Sequence, residues 1–550
     1  MSQKTKPPVR TGGIYPIEIS GLGHSGEGVG RYQDFTVFVP HALPGEVVQV
    51  QISEVKKTYA KGQLLSVIQA SSDRVEPRCS IYNKCGGCQL QHLSYQGQLA
   101  AKRQQVVDAV TRIGKLTNVV VHPTLGAADP WHYRNKMQFP AGYAGGELVV
   151  GCYAQGTHDI IAAENCLIQH HGNNMIAAQV QRIAAELGIS AYDERNGTGI
   201  LRHVMGRVGA ATGEVMAVLV TATDKLPRQR ELVTAMRESI PGLVSIIQNI
   251  NSRRTNIIFG DTTRTLWGKD TITDRLGNLT FQISARSFFQ VNTTQTVALY
   301  NQALAYARLS GSETVIDAYC GAGTISLFLA AGAAKVYGIE IVPQAIDDAK
   351  QNAQLNNIDN VEFIVGDAVE VMPQLYKQGI RPEVVVVDPP RAGCEQRVLE
   401  TFSAMEPHRI VYVSCNPASL ARDLAVLAGL GYETKEIQPV DMFSQTFHVE
   451  TCVLLSHKSA DDFISVKMEY ADDRKIQPDR ITYRLIQEYI EEKYGFKVHT
   501  ANIAEVKRNL GLPMYDAPNA VEELKRPYKP APEYKVEAIK DALRHFKVID

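Results

Sequence analysis

No stretch of the chain carries about 18 or more consecutive apolar residues, so no transmembrane helix is expected. The N-terminal MSQKTKPPVR is polar and lacks the apolar core of a signal peptide. An excess of one charge is missing too: 57 Lys and Arg stand against 58 Asp and Glu, a net charge of -1. Global charge therefore says nothing about nucleic acid, and any such contact must come from local basic patches. Cysteine is sparse and odd in number, nine in 550 residues. That argues against a disulfide framework and directs attention to metal binding or catalysis in a reducing compartment. Internal repeats and low-complexity tracts are absent as well. The expectation is a cytoplasmic monomer with no membrane partner, and the length is a prior for about three or four domains.

The chain reads as a multidomain α/β protein. Residues 11–72 alternate apolar and polar positions in YPIEIS, FTVFVP, GEVVQVQISEVKK and KGQLLSVIQ, with Gly-rich turns between. Period two with regular turns predicts a small, OB-like β-barrel. Barrels of this kind often bind RNA, and Lys56, Lys57 and Lys61 would supply phosphate contacts. A central mixed α/β domain is predicted over 73–285. It opens on CSIYNKCGGC, and a helix is expected over 94–113. In WHYRNKMQF, Arg134 and Lys136 fall on one face of a strand. That face is either an RNA contact or a solvated strand face.

From 286 to 458 the pattern changes. TVIDAY, KVYGIE, VEFIVGD, EVVVVDPP and RIVYVSCNP are apolar without alternation and are separated by helical stretches. Such runs predict buried parallel strands in a doubly wound, Rossmann-like domain. Residues 459–478 read as a linker, and 479–550 as a small helical extension with mixed charge. Ile481, Leu485, Ile486, Tyr489 and Ile490 recur on one helix side there. A helix-turn-helix-like unit that contacts RNA or protein fits this pattern, and so does a stabilising appendage.

TVIDAYCGAGTISLFLA reads as a strand, a glycine turn and a helix. Asp317 ends the strand, while Gly321 and Gly323 permit close backbone approach. Glu340 ends the next strand, where a carboxylate can accept both ribose hydroxyls. Asp367 could meet an adenine amino group. Ser326 stands where a pyrophosphate-binding turn has its third glycine, which favours S-adenosylmethionine over NAD.

Asp388 closes a strand in VDPPR, at the edge where such domains bind ligands. Arg391 follows the two prolines. An aromatic residue there would suit methylation of an exocyclic amine, so that chemistry is disfavoured. The next strand delivers Cys415 to the same edge in VSCNP. C5 of uracil is a poor nucleophile, and thiolate attack at C6 would activate it as an enolate. A base must then remove the C5 proton, and Glu450 at the start of the last apolar strand is the candidate.

These motifs, with FQISARSFFQVN, DAYCGAGT and FHVE, resemble those of the RNA uracil-5-methyltransferases over about residues 11–456. The resemblance is to the 23S rRNA type, with a TRAM barrel and an iron–sulfur cluster. It implies Cys415 as nucleophile and Glu450 as general base. Gln290, Tyr319, Glu340 and Asp367 are implied as cofactor contacts, and Asp388 at the cofactor–substrate junction. Thr324 stands where some members have Asn, and FSQTFHVET replaces the Pro-His-Thr run of many members. Cys79, Cys85, Cys88 and Cys166 match the cluster ligands. Their spacing alone suits Zn as well as Fe–S, and only the resemblance favours [4Fe–4S]. Cys152, Cys320, Cys394 and Cys452 are left as packing residues. The target base would have to be flipped out of RNA structure to reach Cys415. A tRNA uracil-5-methyltransferase and a non-catalytic Fe–S RNA-binding protein are the competing readings.

Overall fold

The computed structural model describes residues 7–458, 483–512, 531–546 and 548–549. The expected linker, Ile481 and most of the Pro-rich KRPYKPAPEYK segment lie outside the described residues. Two compact units divide the chain, Met1–Phe463 and Ile464–Asp550.

Strands β1 (Ile14–Leu22), β2 (Gly28–Tyr32), β3 (Phe35–Val39), β4 (Val47–Val55) and β5 (Tyr59–Gln69) close a barrel in the order β1-β2-β3-β5-β4. Alternate residues fill it: Ile17 and Ile19, Val37 and Val39, then Val48, Val50 and Ile52. This is the period-two pattern expressed as burial. Fully buried Glu46 accepts two hydrogen bonds from Arg74, at 2.5 and 2.7 Å, and pins the barrel to the chain that follows. Two of the lysines expected to meet phosphate are already engaged, since Lys56 and Lys61 both pair with Glu54. Exposed pairs of this kind are weak and leave those lysines able to exchange partners.

After α1 (Tyr95–Arg112) and β6 (Val120–Val121) comes a second sheet. Its strands are β7 (Lys136–Ala144), β8 (Glu147–Tyr153), β9 (Ile160–Ala162), β10 (Leu201–Val208), β11 (Val215–Thr221), β12 (Leu243–Ile250) and β13 (Thr262–Gly268). They are ordered β13-β12-β11-β10-β7-β8-β9. Helices α2 (His171–Glu186) and α3 (Gln229–Ser239) bury Ile176, Val180, Ile183, Leu232 and Met236 against it. Met205, Met216, Val218 and Ile247 belong to another core. They pack with the hairpin β14 (Thr271–Leu276)–β15 (Leu279–Ser284) and with α4 (Thr293–Ala307). Both faces of this sheet are therefore covered, which is why β10 and β11 are buried at every residue.

The third sheet is built from β16 (Thr314–Ala318), β17 (Lys335–Glu340), β18 (Val361–Val365), β19 (Val384–Val387), β20 (Arg409–Ser414), β21 (Tyr432–Val440) and β22 (Glu450–His457). Helices α5 (Thr324–Ala330), α6 (Pro343–Leu355), α7 (Ala368–Lys377), α8 (Gln396–Met405) and α9 (Pro417–Gly429) connect them. The order is β18-β17-β16-β19-β20-β22-β21-β6. Strands β18 to β20 are parallel, and β22 alone runs against both of its neighbours. The order reverses between β16 and β19, which opens a crevice at the carboxyl ends of the strands.

One boundary differs from the sequence reading. Helix α1 and β6 fall within the expected central domain, yet both pack on the third sheet. Val106, Val110 and Val121 share a core with Tyr432, Ile437 and the α9 leucines, and β6 pairs in parallel with β21. Buried Lys102 of α1 donates to Asp441, just after β21, and to the Phe443 carbonyl at 3.0 Å. Tyr95 and Ser444 also donate to Asp441, each at 2.6 Å. A buried ion pair survives only with such additional hydrogen bonds, and this one ties α1 to the loop leading into β22.

In the second unit, α10 (Tyr483–Tyr494), α11 (Thr500–Asn509) and α12 (Glu533–His545) share a core of Ile486, Ile490, Ile503, Val506, Ile539 and Leu543. Leu485, expected on the apolar side of its helix, is 43% exposed instead.

Candidate active site

The turn after β16 makes a cradle. Tyr319 adopts φ 67°, unusual for a residue with a side chain, and Gly321 and Gly323 are also left-handed. At Gly323 a Cβ would come within 2.7 Å of the Phe363 ring, so both space and backbone require glycine. Ser326, where a third glycine was expected for a pyrophosphate, donates to buried Asp317 at 2.5 Å. Burial raises the Asp317 carboxyl to about 7, and its other oxygen has no partner among the described residues. Glu340 accepts from the backbone N–H of Gly321 at 3.2 Å and of Val342 at 2.9 Å, which fixes the carboxylate against the turn. Asp367 caps α7 through the Val369 N–H at 2.9 Å, so one oxygen already has a structural task.

A single cavity of about 1100 Å³ reaches Gln290, Asp388, Arg391, Cys415 and Glu450. Asp388 follows β19, Cys415 follows β20, and Glu450 begins β22. Because β22 is antiparallel, its first residue lies at the edge where β19 and β20 end. Ser414 is paired with Thr451 across the ladder, and Thr451 Oγ1 donates to the Ser414 carbonyl at 3.0 Å. This register sets Glu450 beside Cys415. The loop carrying Asp388 is tied to the loop carrying Cys415, since Asn416 and Ser419 donate to the Arg391 carbonyl at 3.0 and 3.1 Å. Gln290 is buried at the same cavity, and its backbone carbonyl accepts from Asn135 at 3.0 Å.

The electrostatics are those of charges held away from water. Burial pushes the Cys415 thiol up to about 11; Glu450 and Asp388 push in the same direction and Arg391 opposes them. Burial, then Asp388, raises the carboxyl of Glu450, again against Arg391. Burial raises Asp388 as well. Glu450 is 3% exposed and its Oε2 has no partner among the described residues. An unpaired buried carboxyl oxygen facing a cavity beside a thiol is suited to proton transfer.

Cys79, Cys85, Cys88 and Cys166 line the same cavity. Burial, followed by the neighbouring thiols Cys166, Cys85 and Cys79, raises Cys88 to about 12. Cys152, left as a packing residue on sequence grounds, belongs with them. It lies on the same wall, and its hydrogen bond with Cys85 lowers the Cys85 thiol. The strand pairing that brings Cys152 there spans too many residues to be read from spacing. Among the described residues, no three His, Cys, Asp or Glu side chains are gathered tightly enough to hold a metal ion. Cys320, Cys394 and Cys452 are buried.

The tRNA (Uracil-5-)-methyltransferase family matches residues 244–458, and the TRAM domain family matches residues 8–65. An uncharacterized RNA methyltransferase of Halalkalibacterium halodurans is 53% identical over 456 residues, covering 83% of this chain and 100% of its own. Another, from Clostridium tetani, is 51% identical over 450 residues, covering 82% of this chain and 98% of its own. Among solved structures, the Pyrococcus abyssi tRNA (uracil-54, C5)-methyltransferase in complex with S-adenosyl-L-homocysteine is similar at a TM-score of 0.65 and 28% identity. That match covers 80% of this chain and all of the other. The chain belongs to the RNA uracil-5-methyltransferase family.

Proposed function

We propose that the protein methylates C5 of a uridine in 23S rRNA, with S-adenosylmethionine as donor and Cys415 as covalent nucleophile. The observation that carries this reading is the convergence of Cys415, Glu450 and Asp388 on one cavity at one sheet edge. A tRNA substrate is the second reading, favoured by the Pyrococcus abyssi tRNA enzyme to which the chain is similar. That enzyme's complex with S-adenosylhomocysteine also supports the choice of donor.

Cys415 gives up its proton to water, and the thiolate adds to C6 of uracil. The electron pair of the C5–C6 bond moves to the C4 carbonyl as an enolate, which makes C5 nucleophilic. S-adenosylmethionine, when bound, would supply the electrophilic methyl group that C5 takes and would leave as S-adenosylhomocysteine. Glu450 then takes the C5 proton through its free carboxyl oxygen. The pair left behind restores the C5–C6 double bond and expels the thiolate. Asp388 borders the base. Gln290, Tyr319, Glu340 and Asp367 hold the donor, whose approach the left-handed glycine turn permits.

Cys79, Cys85, Cys88 and Cys166 would hold a [4Fe–4S] cluster. All four thiols line one cavity, and neighbouring thiols add to the burial that raises Cys88 and Cys166, which supports this assignment. The cluster would staple the central sheet to the segment before α1 and would take no part in methyl transfer.

RNA tritiated at uridine C5 tests the chemistry. Wild type releases tritium to water in step with methylation, and Cys415→Ala releases none. Glu450→Gln methylates but keeps RNA covalently attached. Release by Cys415→Ala at the wild-type rate contradicts the mechanism. Without RNA, alkylation of Cys415 by iodoacetamide is expected to rise about tenfold per pH unit from pH 8 to 10, because the raised thiol is mostly protonated there. Glu450→Gln removes a negative neighbour and speeds alkylation at pH 8; an unchanged rate contradicts the assigned coupling. Protein purified without oxygen is expected to absorb near 400 nm and to carry about four irons per chain. Cys88→Ser loses both signals, and colourless zinc-loaded wild type would overturn the cluster.

A further inference from the structure

Three cations meet at the start of β7; Asp348 acts on Arg207 from beyond Ser287, and among the described residues no carboxylate acts on Lys136. Lys136 stands directly opposite Arg207 in the antiparallel pairing of β7 with β10. Directly opposed residues share a sheet face, and like charges so placed repel. Arg134, two residues earlier, projects to the same side by the alternation of a strand. Arg207 is 3% exposed; its guanidinium donates to the carbonyls of Ala285, at 3.4 Å, and Ser287, while its Nε has no partner. Among the described residues, neither the half-buried Lys136 ammonium nor the Arg134 guanidinium has a hydrogen-bond or ion-pair partner. Burial, then Arg207 and Arg134, lowers the Lys136 amine to about 7, and no acid opposes them. The arrangement is neither a solvated strand face nor a structural ion pair. A cation withdrawn from water beside two others is unfavourable unless an anion joins it.

The same sheet face shows where that anion comes from. Of the three cations only Arg134 lines the cavity that also holds Cys415 and Glu450, together with Gln138 and His203. Gln138 follows Lys136 on this face, and His203 belongs to the opposing strand. The acids assigned to the methyl donor, Asp317, Glu340 and Asp367, lie at the ends of β16, β17 and β18 and are not on that wall.

We propose that Arg134, with the charges of Lys136 and Arg207 beside it, forms a phosphodiester subsite that grips the backbone of the RNA strand whose uracil enters the cavity. This rests on the RNA-methylating reading above. A flipped base leaves its stack only if the flanking backbone is held, and a phosphodiester supplies a fixed negative charge at that point. Arginine offers paired donors to its oxygens, and lysine a compact charge.

The test uses the full-length protein and the unmodified transcript, 23S rRNA or tRNA, that wild type methylates. Lys136→Met is expected to weaken RNA binding about tenfold at roughly 0.15 M salt and to reduce the slope of log Kd against log salt by about 1. Its affinity for S-adenosylmethionine stays within about twofold, and its Tm rises because an uncompensated charge is gone. Lys136→Arg keeps the salt slope. Should Lys136→Met fail to fold, Arg134→Gln on the cavity wall carries the same expectation for RNA. Wild-type RNA binding by the folded variant would overturn the subsite. So would a loss of S-adenosylmethionine affinity with RNA binding unchanged, which would assign the anion to the donor's carboxylate. A wild type that methylates no transcript would instead overturn the reading on which the subsite rests.

Discussion

Glu450 reaches Cys415 because β22 runs against its neighbours. Parallel strands bring only their carboxyl ends to one edge of a sheet, and those ends supply Asp317, Glu340, Asp388 and Cys415. A strand inserted in reverse brings its first residue to that edge. The insertion between β20 and β21 therefore adds a carboxyl group where the Cys415 thiol already stands. The Ser414–Thr451 pairing fixes the register, and a one-residue slip would turn Glu450 to the other face. The loop before β22 is held in turn by Asp441, which receives Lys102, Tyr95 and Ser444. Removing one partner from so buried a pair typically destabilises by about 3–5 kcal/mol. The position of Glu450 thus depends on a helix more than 300 residues earlier in the chain.

Much of this was legible in the sequence. Strands ending in Asp317, Glu340, Asp388 and Cys415 announced themselves as apolar runs without alternation, and the barrel as alternating ones. The glycine turn was legible because few residues other than glycine tolerate its geometry. What escaped was long-range. Nothing local marks α1 and β6 as part of the methyltransferase-type layer, because their apolar residues would suit any core. Cys152 looked like a packing residue because its relation to Cys85 exists only after β8 and the cysteine loop have met. Lys102 reads as a surface lysine on a helix until Asp441 is placed beside it. Arg134 and Lys136 were visible as a basic face, but Arg207, which gives that face its meaning, is contributed by another strand.

The cavity joins features that the sequence presents separately. Thiols of the cysteine loop, Arg134 of the central domain and the edge of the third sheet that carries Asp388, Cys415 and Glu450 all border one space. A thiol and two carboxyl groups packed together are each held toward their neutral forms. Such a site is quiet until substrate arrives. In the proposed mechanism an incoming uracil would take up, as its enolate, charge that the free site disfavours. Restraint of the thiol before binding and the proposed proton removal after methyl transfer would then share one cause, desolvation.

The claim at the centre of this account is a covalent bond between Cys415 and C6 of uracil. RNA carrying 5-fluorouridine at the target position tests it most directly, because fluorine cannot leave as a proton and the adduct persists. Tandem mass spectrometry of the digested complex should place a methylated fluorouridine on the peptide containing Cys415. An adduct on any other residue, or methylated product with no adduct at all, would contradict it.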